Sequence, residues 1–477
     1  MTALVIDVGT SGVRAAVVRD DASVAVVQHQ PLLPNTPFPG LVEIDAVELG
    51  RVALDLARRV LAEGGPVDVV GVTNQRASTI VWDRATGEPI GPGLGWQDLR
   101  TIGECLTLQA EGIRVAPNAS ATKLANLLDQ TDRTRDLCFG TIDTWIVWLL
   151  TEGAVHVTDL SNAAVTGLVT SDGSAWSEPI LERLNIPPSV LPAIVDSTGI
   201  VGAATALQGA PPIAGIAGDQ QASLIGQSCV RPGLAKATFG TGGMLDVCLG
   251  PRPAFAVRGD GGCFPIVCWK RGADVVWGVE AVMLTAGSNV EWLRDDLGII
   301  ESAEASDAVA AQCADTEGVV YVPALLGLGT PHWDHGARAT LLGLTRGSGR
   351  PQIVRAVLEG IAQRGADLLE AAEADGRAAI ASLRVDGGMT ANATFVQSLA
   401  DATQRPIEVA PVTEATTLGA AYLAGLAIGT WAGWDDIAAA WAPRAVVEPA
   451  RVLDRDRWAE AKRRAGGWYP ELSALDF

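Results

Sequence analysis

The chain has 477 residues, 48% of them hydrophobic and 19% charged, and its formal net charge is −20. This length favours two domains over one, and the composition is typical of a globular protein. The acidic balance argues against nucleic acid or an anionic membrane surface as the main partner, because both attract basic proteins. No uncharged run reaches the roughly 18 residues of a membrane span, so no membrane-spanning segment is predicted.

Cysteine and histidine usage favours a chain without disulfides and without a zinc site. The seven cysteines show no CxxC spacing and most stand in apolar context, which is typical of buried thiols in a reducing cytoplasm. A pairing of Cys263 with Cys268 is the weaker alternative. The four histidines are scattered and lack partners at metal-ligand spacing. We therefore expect a cytoplasmic protein that carries no signal peptide.

Residues 4–18 contain two apolar runs separated by Gly-Thr-Ser-Gly, a pattern that predicts a buried β-hairpin. The tip of this hairpin presents Asp7, Thr10, Ser11 and Arg14. Hydroxyls, backbone amides and a guanidinium suit phosphate oxygens, and a carboxylate at a strand end suits the hydration shell of Mg²⁺. The alternative is an ordinary hairpin whose glycines serve only the turn. Two later strand-to-glycine turns, at residues 239–244 and 383–392, favour the phosphate interpretation.

The elements that follow alternate between strand and helix, which favours an α/β fold. Residues 21–39 are expected to form a loop, because prolines cluster at the end of this segment. Asp45 is expected to cap a helix that ends at Gly64. Residues 67–72 are expected to form a buried strand behind it.

Polar residues follow that strand, in the position where ligands bind in open α/β sheets. Arg76 carries five donors that suit the hydroxyl oxygens of a sugar or polyol, and the alternative is that it pairs with an acid or caps a neighbouring strand. Trp96 offers an aromatic face to a carbohydrate, although a tryptophan is more often a core residue. Together the two residues predict a site for a small polyhydroxylated substrate.

Asp219 stands between a predicted strand that ends at Gly218 and a helix that starts directly behind it. The small residues before it leave room for a substrate atom beside the carboxylate. Asp219 is therefore the candidate general base, which accepts the proton of an attacking hydroxyl. The alternative is an N-cap, for which aspartate is a favoured residue.

Beyond residue 229 the pattern of the N-terminal hairpin returns. Residues 234–249 predict a strand, a Gly-Thr-Gly turn and a returning strand, a weak internal duplication that places a domain boundary at residues 228–233. Helices are expected at residues 280–297, 352–369 and 416–426. Residues 433–477 are expected to form a C-terminal helical extension without recognisable chemistry.

Several motifs occur in one order along nearly the whole chain. They are Asp7-Val8-Gly9-Thr10, Gly71-Val72-Thr73-Asn74-Gln75-Arg76, Trp96-Gln97-Asp98, Gly140-Thr141-Ile142-Asp143-Thr144-Trp145, residues 215–221, Phe239-Gly240-Thr241-Gly242, Gly343-Leu344-Thr345-Arg346 and Asp386-Gly387-Gly388. On these motifs the chain resembles the FGGY carbohydrate kinases, and among them the glycerol kinases. The resemblance implies an α/β fold of two actin-like, ribonuclease H-like ATPase domains that flank a nucleotide cleft.

The resemblance also implies an organisation in three parts. Residues 1–230 would form the N-terminal kinase domain, with the polyol or sugar site and the catalytic base. Residues 231–432 would form the C-terminal, nucleotide-binding domain, and residues 433–477 the helical extension. ATP and Mg²⁺ would be the cofactors and a small polyol or sugar the substrate, while the oligomeric state stays open, with a homodimer as one alternative.

By the same resemblance, each candidate residue receives a role. Asp219 would be the catalytic base, and Asp7 would lie at the Mg²⁺ ion. The substrate would be bound by Arg76, Trp96, Asp219 and Gln220. The nucleotide would be bound by Thr10, Ser11, Arg14, Thr241, Gly242, Gly387, Gly388 and Asn392.

Three positions depart from the glycerol kinase pattern. Ala77 stands where those kinases have a glutamate, Asn118 where they have a tyrosine, and Met244 where they have a phenylalanine. We expect a wider cavity with fewer hydrogen bonds to glycerol, each lost bond being worth about 1 kcal/mol. The alternatives are therefore a kinase for a four- or five-carbon acceptor such as erythritol, threitol, xylitol or xylulose, and a non-catalytic ATP-binding regulator of actin-like fold.

Overall fold

The computed structural model describes residues 2–132, 134–412 and 414–475. The strands before residue 230 are β1 (Thr2–Val8), β2 (Gly12–Arg19), β3 (Val24–Pro31), β4 (Glu43–Ile44), β5 (Val69–Asn74), β6 (Ile80–Asp83), β7 (Gly93–Leu94), β8 (Leu137–Gly140), β9 (Val157–Asp159), β10 (Ala193–Val195), β11 (Thr198–Ala203) and β12 (Pro212–Gly218). The later strands are β13 (Ala235–Phe239), β14 (Gly243–Gly250), β15 (Phe264–Arg271), β16 (Asp274–Met283), β17 (Val320–Val322), β18 (Thr340–Leu342), β19 (Leu383–Asp386), β20 (Ile407–Val409) and β21 (Ala445–Val447).

The α-helices surround two large sheets. They are α1 (Ala46–Gly64), α2 (Ile102–Ala110), α3 (Ala121–Asp129), α4 (Ile142–Leu150), α5 (Leu160–Ala164), α6 (Glu178–Arg183), α7 (Asp219–Gly226), α8 (Ser288–Asp295), α9 (Ala305–Ala310), α10 (Arg350–Gly376), α11 (Ala393–Thr403), α12 (Ala415–Ala427), α13 (Trp434–Ala439), α14 (Arg455–Ala465) and α15 (Pro470–Ser473).

The first sheet has the strand order β11-β12-β5-β1-β2-β3. β1 and β2 pair antiparallel with Asp7 opposite Arg14, which confirms the predicted N-terminal hairpin. β1, β5 and β12 run parallel, and their registers place Val8 beside Asn74 and Asn74 beside Gly218. Because these strands end at the same edge of the sheet, the residues that follow them come together there.

Two local predictions around the first sheet have different outcomes. The helix predicted after Asp45 is confirmed as α1: the Asp45 side chain accepts a hydrogen bond from the Glu48 N–H, and Gly65 ends the helix at φ 82°. The loop expected over residues 21–39 is wrong in its first half, where β3 pairs with β2. The side chains of β3 alternate between half-buried and exposed, which is the pattern of an edge strand with one face on the protein.

The second sheet has the order β15-β16-β14-β13-β19-β20-β21. The helix predicted over residues 280–297 is wrong in its first part, because β16 continues to Met283 and α8 begins only at Ser288. A short apolar run in a sequence is compatible with either a buried strand or a helix. Residues 280–283 are a strand because they pair with β14. The predicted helical extension likewise contains one strand, β21, which adds an edge to this sheet.

α7 and α12 pack with backbone against backbone between the two sheets. A Cβ on Gly226 would lie 1.8 Å from the carbonyl oxygen of Ala415, and a Cβ on Gly419 would lie 1.8 Å from that of Ala222. α7 follows β12 of the first sheet, whereas α12 comes from the C-terminal half of the chain. Glycine at these positions therefore allows the two halves of the protein to meet directly.

The seven cysteines are free thiols, so the expectation of unpaired cysteines is confirmed and the pairing of Cys263 with Cys268 is excluded. Six of the seven are buried. Within the described parts of the chain, every helix is too short or too polar to cross a bilayer.

Candidate active site

Asp7 lies near the end of β1, where its side chain is 11% exposed. Its Oδ2 lies 3.4 Å from Nη1 of Arg14, its cross-strand neighbour on β2. Burial raises the pKa of Asp7 to about 6, Arg14 opposes this shift, and the nearby carboxylate of Asp219 adds to it. Two carboxylates that repel each other in a partly dry environment favour a bound cation.

Replacing Asp7 by asparagine is expected to stabilise folding at neutral pH. The carboxyl pKa is about 6 in the folded protein against an ordinary value of 3.8, so ionisation of Asp7 opposes folding. This penalty grows as the pH rises between those two values and is constant above them, where it amounts to about 2–3 kcal/mol. Urea unfolding at neutral pH should therefore give Asp7→Asn the higher unfolding free energy, and the difference should shrink toward acid pH. A variant that is less stable than wild type at neutral pH would contradict this prediction.

Arg76 and Asp219 follow the neighbouring strands β5 and β12 and meet between the two sheets. Nε of Arg76 lies 3.4 Å from Oδ1 of Asp219, and its Nη2 lies 2.7 Å from Oε2 of Glu280 on β16. Gly218 permits this contact, since a Cβ there would lie 2.7 Å from the Arg76 side chain. Burial alone would lower the pKa of Arg76, but the two carboxylates raise it above its ordinary value, so the guanidinium stays charged.

The Asp219 carboxylate opens α7 and is 29% exposed. Gly218 occupies the N-cap position of α7 and no side chain caps it, so Asp219 is not the cap of this helix. Its Oδ1 accepts a hydrogen bond of 2.8 Å from the backbone N–H of Gln220. Burial raises the pKa of Asp219, and Arg76 opposes that shift. A carboxylate in this state, still partly open, is suited to accept a proton.

The segment after β7 places Trp96 against the hairpin tip. Its Nε1 donates to Oγ1 of Thr10 at 3.1 Å, which links a predicted acceptor residue to a predicted phosphate residue. Behind this segment, Lys123 is fully buried and donates to the carbonyl oxygens of Trp96, Pro117 and Ala119. Burial lowers the pKa of Lys123 to about 8. Three carbonyls match the three N–H donors of the ammonium, so Lys123 holds the segment of Trp96 against the segment of Pro117 and Ala119.

The two glycine turns of the second sheet lie side by side. One follows β13 and the other follows β19, and these two strands are parallel neighbours. A Cβ on Gly387, which has φ 91°, would lie 2.4 Å from the carbonyl oxygen of Phe239. This edge of the sheet therefore brings together four of the predicted nucleotide residues, namely Thr241, Gly242, Gly387 and Gly388.

The remaining predicted nucleotide residues differ in their surroundings. Ser11 is exposed at the hairpin tip, and its carbonyl oxygen accepts the N–H of Leu32 at 3.0 Å. Asn392 is buried: its Oδ1 accepts the N–H of Phe395 and so caps α11, and its Nδ2 donates to Oγ of Ser306. Asn392 thus has a structural role, and its contact with a nucleotide stays a prediction.

Three buried charged residues beneath the site were not predicted from the sequence. They are Lys236, Asp246 and Glu280, which are opposite one another across β13, β14 and β16. The available signal was a single charged residue inside each of three apolar runs. For Glu280 this signal was hidden by the wrong helix assignment, since a charge on one face of a helix is unremarkable.

Residues 2–226 match the N-terminal domain of the FGGY family of carbohydrate kinases, and residues 235–428 match the C-terminal domain of that family. The chain belongs to the FGGY family of carbohydrate kinases. The glycerol kinase of Trichlorobacter lovleyi is 43% identical over 494 residues, covering 98% of this chain and 99% of that protein. The glycerol kinase of Aromatoleum aromaticum is 42% identical over 492 residues, with the same coverage of 98% and 99%. The crystal structure of Plasmodium falciparum glycerol kinase with ADP superposes with a TM-score of 0.89 at 28% identity, covering 100% of this chain and 99% of that one.

These similarities confirm the predicted family and the α/β fold of two actin-like halves. They also show that this FGGY kinase is an enzyme, and they do not favour the alternative of a non-catalytic ATP-binding regulator. The domain boundaries at residues 230 and 432 and the roles of individual site residues stay predictions.

Two of the three departures of this FGGY kinase from the glycerol kinase pattern, Ala77 and Met244, lie beside Arg76. Ala77 has φ 61° and is 3% exposed, and its carbonyl oxygen accepts a hydrogen bond of 2.9 Å from Oγ of Ser120. Met244 approaches from the second sheet, with its Sδ 4.0 Å from Nη2 of Arg76. Asn118 lies two residues before Ser120. Ala77 and Met244 are thus close to Arg76, and Asn118 precedes the serine that bonds to Ala77.

Proposed function

We propose that this protein transfers the γ-phosphoryl group of ATP to a primary hydroxyl of glycerol or of a polyol of similar size. The observation that carries the proposal is the position of Asp219. Its partly exposed carboxylate lies beside Arg76 at the edge where three parallel strands end, close enough to Asp7 to shift the pKa of that residue. The relatives named glycerol kinase, at 42% and 43% identity, support glycerol as the acceptor.

On the acceptor side, Asp219 accepts the proton of the attacking hydroxyl while its oxygen bonds to phosphorus. Arg76 opposes the rise of the Asp219 pKa and so favours the ionised form of this base, and its guanidinium donates to a second oxygen of the polyol. Gln220 adds an amide to the same contacts. Trp96 packs its ring against the carbon chain of the polyol.

On the nucleotide side, the hairpin tip of the first sheet and the glycine turns of the second provide hydroxyls, backbone N–H groups and one guanidinium for phosphate oxygens. The residues in this role are Thr10, Ser11, Arg14, Thr241 and Gly242. The adenosine lies against Gly387, Gly388 and Asn392. Since phosphoryl transfer depends mainly on positioning and charge stabilisation, binding from both sheets is the main contribution of these residues.

Mg²⁺ fits the surroundings of Asp7. The carboxylate is mostly buried, burial and the charge of Asp219 raise its pKa, and carboxylate oxygens are preferred ligands of this hard cation. Asp7 would hold the ion through its hydration shell. Bound together with ATP, the ion neutralises charge on the transferring phosphates.

A panel of acceptors tests the proposal. The purified protein receives ATP, Mg²⁺ and, in turn, glycerol, erythritol, threitol, xylitol or xylulose, and the release of ADP is followed in a coupled assay. We expect the highest kcat/KM with glycerol. A higher kcat/KM with a four- or five-carbon acceptor would contradict glycerol and point to a pocket widened at Ala77, whereas ADP release that no acceptor stimulates would contradict acceptor phosphorylation altogether.

A further inference from the structure

A row of charged side chains crosses the second sheet beneath the acceptor residues. In the strand registers Lys236 on β13 is opposite Asp246 on β14, and Asp246 is opposite Glu280 on β16. Lys236 and Asp246 are fully buried, and Glu280 is 7% exposed. Opposite positions of neighbouring strands share one face of a sheet, so the three charges point the same way.

Both ends of this row reach residues of the proposed acceptor site, the site that binds the polyol. These residues, Arg76 and Gln220, follow strands of the first sheet. Glu280 pairs with Arg76, its Oε2 lying 2.7 Å from Nη2. Nζ of Lys236 lies 2.6 Å from Oε1 of Gln220. The acceptor residues are therefore held from beneath by charged groups of the other sheet.

The ammonium group of Lys236 has a defined set of partners. Its Nζ donates to Oε1 of Gln220 at 2.6 Å and to Oγ1 of Thr238 at 3.1 Å, and it lies 2.7 Å from Oδ2 of Asp246. Lysine can only donate, so the amide of Gln220 must turn its oxygen toward Lys236. The amide nitrogen then points away from Lys236, and its two N–H donors make no hydrogen bond to another described residue.

The buried ion pair of Lys236 and Asp246 is not expected to add much to the stability of the fold. Burial raises the pKa of Asp246 to about 7 even though Lys236 opposes that shift, so the carboxylate is held at an energetic disadvantage. A fully buried ion pair is often no more stabilising than well-packed apolar residues of similar volume. Its presence next to an acceptor residue points to a role in positioning.

We propose that Lys236 is a positioning residue of the acceptor site, which fixes the Gln220 amide so that its N–H donors face the acceptor. Lys236 acts across the boundary between the two sheets, and Asp246, 2.7 Å from its Nζ, holds the ammonium in position. The proposal deepens the function proposed above and rests on it. It predicts that loss of Lys236 weakens acceptor binding through Gln220 and leaves nucleotide binding intact.

The test variant is Lys236→Met combined with Asp246→Leu, which removes both members of the buried ion pair together. With wild type shown to phosphorylate glycerol, we expect the KM for glycerol to rise about 5- to 20-fold, the loss of one oriented hydrogen bond, while the KM for ATP stays unchanged. In a Gln220→Ala background the same double substitution should change the glycerol KM by less than about two-fold, because the residue through which Lys236 acts is gone.

Lys270→Met is the matched control. Lys270 lies on β15 of the same sheet, pairs with Asp196 and contacts no acceptor residue, so its loss should leave the glycerol KM unchanged. Should the neutral pair fail to fold, Lys236→Gln is the second variant: its side chain is shorter than that of lysine and can present an oxygen or a nitrogen, so it no longer fixes the Gln220 amide, and the glycerol KM is expected to rise. An unchanged glycerol KM in a folded variant, or an effect fully additive with that of Gln220→Ala, would overturn the positioning role of Lys236 but not the proposed function. A wild-type protein that phosphorylates no acceptor would overturn the proposed function as well.

Discussion

Asp219→Asn is expected to lower kcat for glycerol phosphorylation by about 10²–10⁴-fold, the usual contribution of a general base. Asparagine keeps the shape of the side chain but accepts no proton. Because Arg76 keeps its ion pair with Glu280 at 2.7 Å, the substitution leaves no charge without a partner. Steady-state kinetics with glycerol and ATP measure the effect, and thermal unfolding with and without ADP shows whether the fold and the nucleotide site are retained.

Asp295→Asn serves as the control for this experiment. Asp295 lies on α8, is 57% exposed and pairs only with its neighbour Arg294 among the contacts described, so its substitution should leave kcat unchanged. Near-normal kcat in a folded Asp219→Asn protein would mean that another group, or water, takes the proton. The role assigned to Asp219 would then be wrong.

Gly226→Ala is expected to destabilise the protein by about 3 kcal/mol, at the upper end of the range for overpacking. The added Cβ would lie 1.8 Å from the carbonyl oxygen of Ala415. That atom belongs to the backbone of α12, so no side-chain rotation relieves the contact, and the two helices must move apart. Because α7 carries Asp219 and Gln220, we also expect a lower kcat. Urea unfolding and steady-state kinetics measure the two effects.

Gly103→Ala provides the matched control, since it makes the same change at a helix position that faces open space. A Cβ on Gly103 in α2 meets no atom within 4 Å. Alanine is the better helix former, so this variant should be neutral or up to about 1 kcal/mol more stable than wild type. Equal stability of the Gly226→Ala and Gly103→Ala proteins would show that α7 and α12 can separate without loss, contrary to the packing described.

Much of the fold follows from local signals in the sequence. The hairpin of β1 and β2 needs only two apolar runs around a glycine turn, and α1 carries both of its end signals, Asp45 and Gly65. β3 was missed because its alternating pattern is weak and its stability comes from pairing with β2. Residues 280–283 were misassigned because the choice between strand and helix depends on β14, which lies more than 30 residues earlier in the chain.

The residues of the candidate site likewise fall into those with a local signal in the sequence and those placed by contacts between distant segments. Asp7, Arg76 and Asp219 were predicted because each stands at the end of an apolar run, where an open α/β sheet presents polar groups. Glu280 contacts Arg76, and Lys236 contacts Gln220, only because distant strands pair and the two sheets meet, which a single sequence does not reveal. The N-cap bond of Asn392, in contrast, has a local signal, since asparagine before a helix is a favoured N-cap residue.

Phosphorus NMR of the protein mixed with ATP, Mg²⁺ and glycerol tests the proposed reaction most directly. We expect the γ-phosphate signal to disappear as a phosphate monoester of glycerol and ADP form in equal amounts, with little free phosphate, and we expect Asp219→Asn to slow this conversion. Free phosphate as the main product, or loss of ATP at the same rate without glycerol, would contradict transfer to the polyol.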